Sequence, residues 1–194
     1  MLRVTLVVGL FTLCAGMPLS AQKTAVDMKA AYDAHHGDFD FLLGNWEFSR
    51  VSAEFGQGHG FRTAVRLSEG QILDEFRVVS DAGDTIYVTT TLRAYNAFLD
   101  RWELVGMPQG SGLQNTGTGL RVGDEIHITQ KTGSKDGVAL MVRIRYYDIR
   151  ADRFSWIADQ SQDGGKTWAK ESVRMEARRI GPARFMDPLA VAKR

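Results

Sequence analysis

Val138-Ala139-Leu140-Met141-Val142-Arg143-Ile144-Arg145-Tyr146-Tyr147-Asp148-Ile149 is the stretch on which the fold turns. Val138, Leu140, Val142, Ile144 and Tyr146 share one face, and Arg143, Arg145 and Tyr147 share the other. A period of two belongs to a β-strand with unlike faces, because successive side chains point to opposite sides of a pleated chain. Thr85–Tyr95 repeats the pattern, with Ile86, Val88 and Leu92 opposing Tyr87, Thr89, Thr91, Arg93 and Tyr95.

Working outward, about ten such runs follow one another. They are Asn45–Glu54, Phe61–Leu67, Gln71–Ser80, Thr85–Tyr95, Arg101–Met107, Gln114–Val122, Glu125–Thr132, Val138–Ile149, Arg153–Ser161 and Thr167–Arg179. Between them stands turn chemistry: Ser68-Glu69-Gly70, Asp81-Ala82-Gly83-Asp84, Gly123-Asp124, Asp136-Gly137 and Asp163-Gly164-Gly165. Short links imply antiparallel neighbours, hence a meander. A long meander must hide its edges, and no run of helices is available to cover a flat sheet. The expectation is therefore an all-β, antiparallel up-and-down barrel of about ten strands, with a two-sheet sandwich as the alternative. One helix is expected over Thr24 to His36, capped by Thr24 and stopped by Gly37. His59 falls in a Gly-rich segment, Gly56-Gln57-Gly58-His59-Gly60, which reads as a loop.

The first residues have a different texture. Arg3 precedes an apolar run from Val4 to Ala15, and Ser20-Ala21 ends the segment. This predicts a secretory signal peptide cut after Ala21. A membrane anchor needs about 20 apolar residues, and Pro18 interrupts this shorter run. Leu13 before Cys14 argues against a lipoprotein cut site. The expected organisation is a signal peptide (1–21), a helix and linker (22–38), a barrel (39–180) and a C-terminal tail (181–194), in a periplasmic or secreted protein.

Cys14 is the only cysteine, so the cleaved chain has none for disulfides, thiolate catalysis or metal ligation. Loss of Arg3 brings the 24 basic residues level with the 23 acidic ones. A near-neutral chain without a basic cluster carries no electrostatic footprint for nucleic acid, and after signal removal no integral membrane segment is expected.

Phe39-Asp40-Phe41-Leu42-Leu43-Gly44-Asn45-Trp46 contains a Gly-x-Trp similar to the one that opens the first strand of lipocalins. Glycine there permits a sharp turn, and Trp46 plugs the closed end. An arginine of the last strand, Arg174 or Arg178, is expected to stack on it. Two further motifs accompany it: Tyr95 with Trp102 across a hairpin, and Asp163-Gly164-Gly165-Lys166-Thr167-Trp168. Together these resemble a family of bacterial exported, lipocalin-like (calycin-type) proteins of unknown function, from about Asp38 to Arg179. The resemblance implies a calycin-type barrel and brings no activity or catalytic residues with it. The segment Ser161–Trp168 also matches the Asp-box of sialidase propellers, but it occurs once, without blade repeats, and reads as a stabilised hairpin.

The candidate ligand-binding residues are Trp46, Tyr87, Tyr95, Trp102, His127 and Arg143, expected on the inward mixed strand faces. For Trp46, Tyr95 and Trp102 the competing reading is core packing. His127 must face opposite to Ile126 and Ile128. A histidine with one open face can ligate haem iron, as in ten-stranded nitrobindin-like barrels, but no partner spacing supports this, and neither cofactor nor metal is expected. Within Ile72-Leu73-Asp74-Glu75-Phe76 one carboxylate must face inward, and Arg77, Arg143 or Arg145 could stand beside it. The leading reading is a barrel that binds a small, largely hydrophobic molecule. An isomerase, cyclase or hydrolase acting on such a molecule is the alternative, and a filled barrel serving as an envelope interaction protein is a third.

Overall fold

The computed structural model describes residues 23–182 together with 184 and 185. The expected signal peptide, its cut site and Cys14 lie outside the described residues, as does most of the expected tail. Ten strands follow in chain order: β1 (Gly44–Ser52), β2 (Gly56–Arg66), β3 (Ile72–Val79), β4 (Thr85–Asn96), β5 (Arg101–Pro108), β6 (Asn115–Val122), β7 (Glu125–Lys135), β8 (Val138–Tyr147), β9 (Arg153–Ser161) and β10 (Ala169–Gly181). Each pairs antiparallel with the next, and β1 also pairs antiparallel with β10, so the sheet is a closed meander. A two-residue strand, β11 (Arg184–Phe185), runs parallel to β2.

The expected runs and the observed strands coincide closely except at β2. There, Gly56–Gly60 is strand, paired with Ser52 to Phe48 of β1, and not a loop. Glycine is used at position 60 for space. A Cβ there would collide with the Arg77 carbonyl oxygen and lie 2.6 Å from the Phe48 ring, which stacks on Phe76 at 4.5 Å.

Before the barrel comes α1 (Ala25–His35). Thr24 caps it reciprocally: the Asp27 amide donates to the Thr24 hydroxyl (3.1 Å), and the Asp27 carboxylate accepts from the Thr24 amide (3.0 Å). The helix buries none of its residues and leans on the barrel rim, where His35 stacks on Tyr95 at 5.5 Å.

From Asp38 to Leu43 the chain turns under the barrel and plugs it. Phe39, Leu42 and Trp46 are fully buried. Trp46 donates its indole N–H to the Leu42 carbonyl at 2.9 Å and meets Phe154 edge-on at 4.8 Å. Gly44 has φ +111°, a conformation that favours glycine, and this turns the plug into β1. The arginine over Trp46 is Arg179, with Cζ 4.1 Å from the ring, and it also donates to the Phe41 and Leu43 carbonyls. The expected Arg174 and Arg178 point outward to Glu171 and Glu47 instead. Register explains the difference: Trp46 pairs with Arg179, so from Val173 onward the odd-numbered residues of β10 face in and the even-numbered ones face out.

Candidate functional site

Counting in phase from Trp46 and across the ladder identifies the inward face of each strand. On β8 the apolar set, including Val142, Ile144 and Tyr146, faces in. On β4 the opposite holds: Tyr87, Thr89, Thr91 and Arg93 line the interior, while Ile86 is 65% exposed. The barrel interior is thus mixed rather than greasy.

Above the plug the interior is open. A chamber of about 170 Å³ is lined by residues that include Arg62, Phe76, Tyr87, Thr89, Thr91, Arg93, Asn115, Gln130, Tyr146 and Trp156. It shares walls at Phe76, Tyr87, Thr132, Val142 and Trp156 with a neighbouring mouth of about 900 Å³. The mouth is largely apolar, with Phe55, Val78, Val79, Ile86, Ala158 and Val173 on its walls.

At the chamber floor lies a buried ion cluster. Asp74 is 1% exposed, Arg93 3% and Arg62 6%. Both arginines address the same carboxylate oxygen: Arg62 Nη2 lies 3.3 Å from Asp74 Oδ2, and Arg93 Nη1 donates to it. Arg62 also donates to the Tyr146 hydroxyl at 3.1 Å. Burial pushes the Arg62 guanidinium down, but Asp74 and the Tyr146 hydroxyl outweigh it and hold the group above its ordinary value, so it stays charged. Each guanidinium also rests near an aromatic ring, Arg93 over Phe39 (5.6 Å) and Arg62 over Phe76 (5.8 Å).

The inward carboxylate of β3 is therefore Asp74, with Glu75 on the outside. Its arginine partners are Arg62 and Arg93 rather than Arg77, Arg143 or Arg145. Arg77 pairs with Glu75 on the outer surface at 2.5 Å.

The six sequence-derived candidates fall in three places. Trp46, Tyr95 and Trp102 sit together at the closed end. Tyr95 and Trp102 are cross-strand partners in edge contact at 5.8 Å, and Trp102 meets Phe39 at 5.0 Å. Burial, with Asp100 accepting from its hydroxyl, pushes the Tyr95 phenol up. Tyr87 lines the passage from mouth to chamber, where burial raises its phenol. His127 and Arg143 share an outer groove, on the opposite face of the sheet from Ile128 and Ile144. His127 contacts Glu125 there (2.8 Å), and Arg143 lies flat on Trp168 at 3.9 Å. The latter contact ties β8 to the Ser161–Trp168 hairpin, in which the Asp163 carboxylate accepts from the amides of Lys166 and Thr167 at 2.9 Å.

Sequence reasoning missed Arg62 and Arg93 as a pair, with Thr89, Asn115 and Gln130 around them. The signal was present: in strict alternation from Trp46 and Phe48, Gly60 and Arg62 fall inside. The apolar look of Phe61 and Val65 pointed the other way, yet Phe61 is 45% exposed. Among the described residues no cluster of His, Cys, Asp and Glu could hold a metal ion, and no helix is long and apolar enough to cross a membrane.

No protein-family model and no curated protein matches this chain. Its fold is similar to that of a solved structure, the crystal structure of Rv2717c from M. tuberculosis, with a TM-score of 0.50 and 16% identity over 77% of this chain and 96% of that one. A likeness at that identity concerns the fold alone.

Proposed function

We propose that this chain is an exported, calycin-type barrel whose role is to bind a small, largely hydrophobic molecule. The observation that carries the reading is the unfilled interior: a chamber above the plug that shares five wall residues with a wide, largely apolar mouth. Binding sites of small molecules are concave, mostly apolar and furnished with a few placed polar groups. Export rests on the Arg3–Ala21 segment and on the resemblance to exported lipocalin-like proteins.

The enzyme reading calls for an inward carboxylate–arginine or histidine–carboxylate pair at the cavity floor, and Asp74 with Arg62 and Arg93 is a group of the first kind. Asp74, however, lies behind the guanidiniums and does not line the chamber. Among the described residues lining the chamber there is no carboxylate, and the one at the mouth, Asp81, lies in the open beside His59 at 3.8 Å; the apolar walls favour the binding reading.

Native mass spectrometry of protein purified from its exporting host, followed by organic extraction, tests this. The expected results are a mature mass beginning at Gln22 and a co-purifying or titratable apolar ligand. Absence of any bound mass, together with no saturable uptake of an apolar fluorophore, refutes the binding role. An uncleaved N-terminus refutes export.

A further inference from the structure

The chamber carries a charge imbalance that a purely apolar ligand leaves unanswered. Two guanidiniums and one carboxylate are buried together, all nine-tenths or more out of solvent, for a net charge of +1. Both arginines meet Asp74 at the single oxygen Oδ2, Arg62 donates besides only to the Tyr146 hydroxyl, and Asp74 Oδ1 has no partner of its own. The Nε–H groups of Arg62 and Arg93 have no hydrogen-bond partner. A buried cation without a full complement of acceptors is costly, and an unpaired donor in a dry site costs as much as a lost hydrogen bond. Arg62 and Arg93 line the chamber whereas Asp74 does not, so the excess positive charge faces the cavity. Thr89, Thr91 and Asn115 add hydroxyls and an amide beside it, and the Thr89 hydroxyl is likewise unpartnered. Toward the mouth the walls turn apolar.

We infer that the ligand is an apolar-bodied carboxylic acid, held with its carboxylate down against Arg62 and Arg93 and its hydrocarbon directed to the mouth. This rests on the reading of the barrel as a binding module. A planar carboxylate matches the guanidinium fork and brings the anionic charge that Asp74 alone does not supply. The chamber of about 170 Å³ takes the head group and the first few carbons, and the mouth takes the rest.

The test is displacement of N-phenyl-1-naphthylamine by decanoate and by 1-decanol, which share a tail and differ in the head. For the native protein, decanoate should compete at least about tenfold more tightly than decanol, the size expected of one charge-assisted contact. Arg93→Met leaves a neutral Arg62–Asp74 pair and should shrink that advantage to less than about threefold, read as the acid-to-alcohol ratio within the variant. A measurement on the native protein guards against misfolding of the variant: carboxyl-labelled decanoate followed by carbon NMR should titrate below free decanoate when bound. Equal affinity for acid and alcohol, or a bound acid that titrates above the free one, overturns the head-group assignment while leaving binding intact. A probe that neither enters nor is displaced overturns both.

Discussion

Asp74→Asn is the most informative single change. It keeps the side-chain shape and removes the only anion from a buried cluster containing two cations. At 3.3 Å and an effective dielectric of about 20, the Arg62–Asp74 contact alone represents about 5 kcal/mol of gross attraction. Much of that is offset by desolvation, and breaking a buried pair from one side costs about 3–5 kcal/mol net. For a domain of this length the loss corresponds to a fall in melting temperature of about 6–20 °C. Arg93→Met is the informative partner. In the native background it gives up the Phe39 contact and one ion pair, and it destabilises. In the background of Asp74→Asn it removes one of two uncompensated cations, and it stabilises. The same substitution therefore changes sign, with a coupling of about 2 kcal/mol or more. Urea denaturation followed by tryptophan fluorescence, in chloride buffer free of carboxylates, measures all four proteins of the cycle. Effects that add to within about 0.5 kcal/mol refute the idea that these side chains form one electrostatic unit.

Trp46→Phe keeps a ring against Phe154 but leaves the buried Leu42 carbonyl without its donor and weakens the Arg179 stack. Thermal unfolding should show a loss of about 1–3 kcal/mol, and an unchanged midpoint would remove Trp46 from the plug's energetics. Asp163 has a carboxyl held well below the usual range by the Thr167 hydroxyl and amide, the Ser161 hydroxyl and the Lys166 amide. A depressed folded value contributes stability that is present above the unfolded value of about 3.9 and disappears as pH falls through the folded one. Asp163→Asn should therefore lower the melting temperature at neutral pH, with the gap to the native protein closing in strong acid. A gap that is constant with pH contradicts this.

Much of the barrel was legible because strand and turn chemistry are local. Arg153–Ser161 was delimited to the residue, and Thr24 capped the one helix as its hydroxyl suggested. Gly44-Asn45-Trp46 gave the plug, because a glycine with positive φ followed by a buried indole has few other uses. What escaped were the features set by register between distant strands. Alternation says which residues share a face, but not which face is inside when both carry apolar groups. Leu92 outside and Arg93 inside make sense only once Asp74, 19 residues before Arg93, is seen to face the same way as that arginine. The choice of Arg179 over Arg178 likewise depends on a one-residue register with β1. His127 and Arg143 were expected on inward faces, and the pairing of β7 with β8 puts both on the barrel's outside.

The seam between β1 and β10 has a temporal meaning. Every other antiparallel pairing joins chain neighbours, and it can form as soon as a hairpin exists. Closure alone waits for residues such as Glu47 and Arg178, 131 positions apart. Until the last strand arrives, the chain is a ribbon with two bare edges, each able to template pairing with another molecule. Such distant contacts make folding slow, and the ribbon stays vulnerable for as long as they are unmade. Arg179, whose guanidinium covers Trp46 and reaches the plug carbonyls, thus latches the seam at the end of the process, coupling the completion of the wall to the sealing of the floor.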